Sequence, residues 1–193
     1  QTSVLHGLDG VEGKPWLDGN LEQPHRNYHT RKMKQAMRSL SLSAKSATLS
    51  DATIAMLERA CTRLTTNASI LDRHGDDESH HASVPPNAVL YPQTTEEVQA
   101  VVRVCAERRV PLIPFGAGTS LEGHIQAVHG GVSLDLSEMN SIIGISPDDM
   151  DCRVEAGVRR LQLNSELRAV GLHFPVDPGA DASLGGMVAC AAS

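Results

Sequence analysis

The sequence has no run of about 18 apolar residues, so no segment of it reads as a transmembrane helix. It has no excess of positive charge: 17 Lys and Arg stand against 23 Asp and Glu, a formal net charge of −6. That balance argues against a general nucleic-acid or anionic-membrane surface. No CxxC pair is present. The four cysteines, Cys61, Cys105, Cys152 and Cys190, lie far apart and read as reduced thiols, not as a disulfide frame or a zinc site. What is left is a mildly acidic α/β-type chain of 193 residues. That is the length of one domain with a tail, or of part of a larger domain.

Acid is also missing locally. Between Glu22 and Asp51 there is none, yet Arg26, Arg31, Lys32, Lys34, Arg38 and Lys45 fall there, among Ser39, Ser41, Ser43, Ser46 and Ser50. Residues 1–50 hold seven basic and four acidic groups, a net of +3, whereas residues 51–193 hold ten and nineteen, a net of −9. A basic, serine-rich, acid-poor stretch has the composition of an organelle transit segment. The chain begins with Gln1, and a start at Met33 would give an N-terminus suited to a mitochondrial presequence. The alternative is a disordered basic tail. On the first reading the protein is mitochondrial, on the second cytoplasmic, and on both residues 1–49 stand outside the fold.

Residues 50–83 read as a helix and a polar linker. Ser50 or Asp51 caps a helix with apolar Ile54, Leu57, Cys61 and Leu64 at spacings of three and four. The following Asp72-Arg-His-Gly-Asp-Asp-Glu-Ser-His-His81 has no periodicity. Its histidines and acids invite a metal, but lack the fixed spacing on rigid elements that tight sites need, so a solvated linker is expected. Pro85-Pro86 closes it as a domain boundary would.

Residues 84–193 carry the chemistry. A strand over residues 88–91 is followed by a helix that Thr94 and Glu97 open as a capping box, with Val98, Val101, Val102 and Cys105 on its buried face. Residues 110–113 form the next strand, which implies a parallel pair joined by a right-handed crossover. Further strands are expected over 132–136, 142–143 and 153–155, and a helix over 161–170 closed by Gly171.

Two glycine-bearing loops stand out: Pro114-Phe-Gly116-Ala-Gly118-Thr-Ser120, and, after the stretch Phe174–Ser183, the small-residue run Leu184–Ser193 with Gly185 and Gly186. Glycine lets backbone amides approach a ligand, and a concave run of amides makes an anion nest. Ser183 is a natural N-cap for a helix through residues 185–192, whose amino end adds a positive dipole. Neither loop contains Lys or Arg, so a phosphate held there would be neutralised by backbone dipoles and the hydroxyls of Thr119, Ser120 and Ser183. The alternative is that both are merely tight turns. Leu121 stands where a GxGxxG motif needs its third glycine and the GxxxxGK[ST] pattern is absent, which argues against nicotinamide Rossmann and Walker sites.

Four ordered motifs carry a resemblance: Pro-Asn-Ala-Val-Leu-Tyr-Pro-Gln-Thr-Thr-Glu-Glu-Val98, Pro-Phe-Gly-Ala-Gly-Thr-Ser-Leu-Glu-Gly123, Val-Glu-Ala-Gly-Val158 and Phe-Pro-Val-Asp-Pro-Gly-Ala-Asp-Ala-Ser-Leu-Gly-Gly-Met187. From Val84 to Ser193 the chain resembles the FAD-binding domain of the vanillyl-alcohol-oxidase (PCMH) type. It is most similar to the branch of glycolate oxidase subunits, D-2-hydroxyglutarate dehydrogenases and cytochrome-linked D-lactate dehydrogenases. Asp-Glu-Ser79 also resembles the D-lactate branch. The implied fold is α+β, the N-terminal portion only of a PCMH-type domain spanning residues 84–193, preceded by the basic tail and the helical segment.

The resemblance implies a site and a reaction. Pro114, Phe115, Gly116, Ala117, Gly118, Thr119 and Ser120 would wrap the FAD pyrophosphate. Asp177, Pro178, Gly179, Ala182, Ser183, Gly185, Gly186 and Met187 would return along its other side. Thr119 stands where some relatives carry a histidine bonded to FAD, so non-covalent FAD is expected, with His124 solvated or in the core. The reaction implied is oxidation of a D-2-hydroxy acid, D-lactate foremost, with electrons passing to cytochrome c or another acceptor. The substrate domain, where a divalent metal is implied, has no counterpart in these residues, and none of them is assigned as catalytic. An aldonolactone or 2-hydroxyglutarate enzyme of the same fold, or a non-catalytic FAD-binding fragment, is the alternative.

Overall fold

The structure is a computed structural model and describes residues 48–192. The transit segment and the Met33 start expected from the sequence lie outside the described residues. Helix α1 (Asp51–Ala60) begins where Ser50 Oγ accepts the amide of Thr53, and ends at Cys61. Leu64, expected on this helix, lies instead on a short strand β1 (Leu64–Thr65), because the chain turns extended at Cys61.

A four-stranded sheet follows from β1, β2 (Ala88–Leu90), β3 (Leu112–Phe115) and β4 (Val132–Asp135), in the order β1-β2-β4-β3. Strands β2, β4 and β3 are parallel, and β1 pairs antiparallel with β2. The expected parallel pair of β2 and β3 is corrected here, since β4 lies between them. Helix α3 (Thr95–Arg108) links β2 to β3, capped by Thr94 Oγ1 on the Glu97 amide. With α1 it buries Leu57, Cys61, Val101 and Cys105 against Leu90, Val132 and Leu134. Each leucine or valine among them contributes about 1.5–3 kcal/mol on leaving water. Val102, expected on the buried face, is 44% exposed. All four cysteines are free, and burial pushes the Cys105 thiol up to about 11.

A second core lies downstream. Strands β5 (Ile142–Ser146) and β6 (Asp151–Val154) form an antiparallel hairpin, longer than the two short strands expected. Helix α4 (Arg160–Arg168) ends with Leu172 donating its amide back to Leu167 O across Gly171. Helix α5 (Leu184–Ala189) is capped by Ser183, as its sequence requires, but stops short of residue 192. Val158, Leu163, Leu167, Leu184 and Met187 close this core over the hairpin.

The largest departure from expectation lies in residues 72–81. Part of that stretch is helix α2 (Ala68–His74), opened by Asn67 accepting the amide of Ser69. Far from being solvated, His74, Asp77 and Ser79 are no more than 5% exposed. The sheet thus takes in Leu64 and Thr65, and α2 packs against β2, ahead of the Val84 boundary read from the sequence.

Candidate functional site

Strands β2, β4 and β3 deliver Tyr91, Asp135 and Phe115 to one edge of the sheet, beyond their carboxyl ends. Ligands of open parallel sheets bind outside that edge. A cavity of about 430 Å3 opens there, lined by Phe115–Gly118 together with Arg73, His74, Asp76, Asp135 and Arg159. Its size falls in the range of roughly 300–1,000 Å3 of small-molecule sites. A second cavity, of about 450 Å3, lies beside α4 and touches neither glycine loop.

The first loop is built to present its backbone. Phe115 O still accepts the amide of Leu136, so the sheet ladder holds the loop's entry. Beyond it, the amides of Gly116, Ala117, Gly118 and Thr119 have no hydrogen-bond partner among the described residues. Gly118 has φ +69, a left-handed conformation that favours glycine, and a Cβ there would stand 3.1 Å from the Phe115 ring. A Cβ on Gly116 would meet Ser183 Oγ at 2.3 Å, so the two loops touch through this glycine. Four open amides on one turn make a cradle for an anion.

The second loop does something different from what its sequence suggests. Leu184 donates its amide to Val158 O, Gly185 to Ala156 O, Gly186 to Ser183 Oγ and Met187 to Ser183 O. The first turn of α5 therefore spends its amides on the chain's own oxygens. Met187 is buried in the second core, away from the cavity. Asp177, Pro178 and Gly179 are exposed; Asp177 pairs with Arg160 and accepts the Gly179 amide. Ala182 O accepts from the Arg160 amide, and Asp181 O accepts from Arg159 Nη1. Of the fifteen residues expected at a cofactor, Phe115, Gly116, Ala117 and Gly118 line the cavity. Pro114 lies on β3, Thr119 and Ser120 continue the loop, and Ser183 supports it from behind.

The cavity's charged lining comes from residues that no sequence motif singles out. Arg73 comes from α2 and Arg159 from the turn before α4, and both line a site expected to hold no cationic side chain. His74 Nε2 hydrogen-bonds Asp135 Oδ2 at 2.9 Å, and its Nδ1 donates to Ile70 O at 2.9 Å. Burial first, and then the Asp135 carboxylate, push the Tyr91 phenol up, so Tyr91 stays a neutral donor. His124 is exposed and shares a hydrogen bond with Ser120 Oγ at 2.9 Å. The only hint of this wall in the sequence is the aperiodic His- and Asp-bearing stretch of residues 72–81.

Open amides in a cavity that two arginines line fit a diphosphate. The comparisons with known proteins agree. A family described as FAD binding domain matches residues 86–193. The chain is 49% identical over 126 residues to a probable mitochondrial D-lactate dehydrogenase of Danio rerio, covering 65% of this chain and 25% of that one. It is 43% identical over 118 residues to the mitochondrial D-lactate dehydrogenase [cytochrome] of Arabidopsis thaliana, covering 60% and 21%. The chain thus spans about a quarter of the length of these curated relatives. Among solved structures it is similar in fold to an alkyldihydroxyacetonephosphate synthase, with a TM-score of 0.68, 22% identity, and coverage of 75% of this chain and 32% of that one.

Proposed function

The chain belongs to the FAD-binding domain family, of the vanillyl-alcohol-oxidase (PCMH) type, and from that premise we propose that it is the cofactor grip of an oxidoreductase acting on a D-2-hydroxy acid, D-lactate foremost. The observation that carries the proposal is the row of open amides on Gly116, Ala117 and Gly118, which line a cavity together with Arg73 and Arg159.

In this reading the amides of Gly116, Ala117, Gly118 and Thr119 hold the FAD diphosphate, and Arg73 and Arg159 balance its charge. Ser183 keeps Gly116 in place and Phe115 backs the turn at Gly118. The cofactor is held without a covalent bond, since Thr119 offers no imidazole to the flavin. The chemistry that FAD supplies when bound is acceptance of a hydride from the α-carbon of the hydroxy acid. No residue of this chain is assigned to a metal or to the base that takes the hydroxyl proton. The names of the D-lactate dehydrogenase relatives support the substrate, a cytochrome as electron acceptor and a mitochondrial location.

The test is the visible spectrum of protein expressed from the complete reading frame, before and after anaerobic addition of D-lactate. Oxidised-flavin absorbance that bleaches with D-lactate and not with L-lactate is expected. A flavin spectrum indifferent to both keeps the cofactor and overturns the substrate. Folded protein without flavin overturns the proposal.

A further inference from the structure

We propose that the segment from α2 to Ser83, which precedes the family match, is a clamp that sets the shape of the glycine-rich loop, with His74 as its positioning residue. The inference rests on the flavin reading above. His74 is 3% exposed and holds Ile70 O on its own helix and Asp135 at the carboxyl end of β4. Asp135 is held in turn, because its Oδ1 accepts the Ser137 amide at 2.9 Å. The imidazole is thereby fixed, and its ring centroid lies 4.3 Å from that of Phe115. Phe115 is the side chain that backs the left-handed turn at Gly118.

The same segment holds the far end of the loop. Glu78 donates its amide to Ser120 O at 3.1 Å, and Gln126 donates its side-chain amide to Ser79 Oγ at 3.4 Å. His74 and Glu78, four residues apart, thus bracket the loop at Phe115 and Ser120, and the open amides lie between them. A buried polar pair is weak evidence for stability, since apolar groups of equal volume serve as well. What His74 and Asp135 add is direction: they fix where Phe115 stands, and a site displaced by a fraction of an ångström loses affinity.

The experiment uses protein from the complete reading frame, stripped of flavin and titrated with FAD, reading the dissociation constant from flavin fluorescence and the environment of the bound flavin from visible circular dichroism. His74→Ala is expected to weaken FAD about tenfold and to change the dichroism, and His74→Gln, whose amide reaches Asp135, to return within about threefold of wild type. Leu57→Ala, in the first core, is expected to lower the melting temperature with both flavin readouts unchanged. A folded His74→Ala protein with wild-type affinity and dichroism overturns the clamp. So does a Leu57→Ala protein that alters both as much. If His74→Ala does not fold, Phe115→Leu replaces it: weakened FAD and altered dichroism support the clamp, and wild-type values overturn it. A wild-type protein that binds no FAD is a different failure, visible before any variant is made, and it overturns the flavin reading with the clamp.

Discussion

At Gly118 a single residue decides whether the loop can face an anion. Its φ of +69 would cost most side chains about 1–3 kcal/mol, and the Phe115 ring crowds the space a Cβ would take. Gly118→Asp would add strain, a steric conflict and a negative charge beside the amides. It is expected to leave a folded protein without flavin, measured as the flavin-to-protein absorbance ratio after purification; an unchanged ratio would show that the anion lies elsewhere. The glycines of this loop were legible in the sequence because backbone approach is a local property. Arg73 and His74 were not. His74 meets Asp135 across 61 residues, and nothing in the local spacing of Asp72–His81 records which of its polar groups a distant strand will bury.

Helices with strong caps were legible as elements: Ser50, Thr94 and Ser183 each accept the amide that their position predicts. Helix α2 has only seven residues, too few for its periodicity to stand out, and its stretch read as linker. The cap of α3 reaches beyond its own helix. Glu97 accepts the Gln93 amide at 2.7 Å and the amide and hydroxyl of Thr62, tying α3 to the turn after α1. The Gln93 amide above all, then the Thr62 donors, hold the Glu97 carboxyl below its ordinary value of 4.5. The folded state then binds fewer protons than the unfolded chain, so this contribution is full above that value and is lost as pH falls through the folded one. In urea titrations wild type is expected to exceed Glu97→Gln near neutral pH and to converge with it as the solution is made acidic. A gap that does not narrow would show that charge is not what Glu97 supplies.

The molecule has two cores, and the candidate site lies where the loop of the first meets the capping residue of the second. The seam is narrow. A Cβ on Gly116 stands 2.3 Å from Ser183 Oγ but an ordinary 3.4 Å from Ser183 Cβ. Gly116→Ala is therefore expected to cost about 1–3 kcal/mol by overpacking, and Ser183→Ala about 1 kcal/mol by loss of the cap. The double variant should cost less than the sum, because it removes the oxygen that the new methyl group meets; strict additivity in urea denaturation would refute the contact. The order of the sheet has a consequence in time. Strand β3 finds its partner in β4, and β4 is the later of the two to leave the ribosome. Until Val132–Asp135 is synthesised, the stretch that will become the glycine-rich loop has been made but hangs from an unpaired strand. Its anchor, Asp135, is the last residue of that late strand. The growing chain must complete its central strand before it has a seat to offer a cofactor.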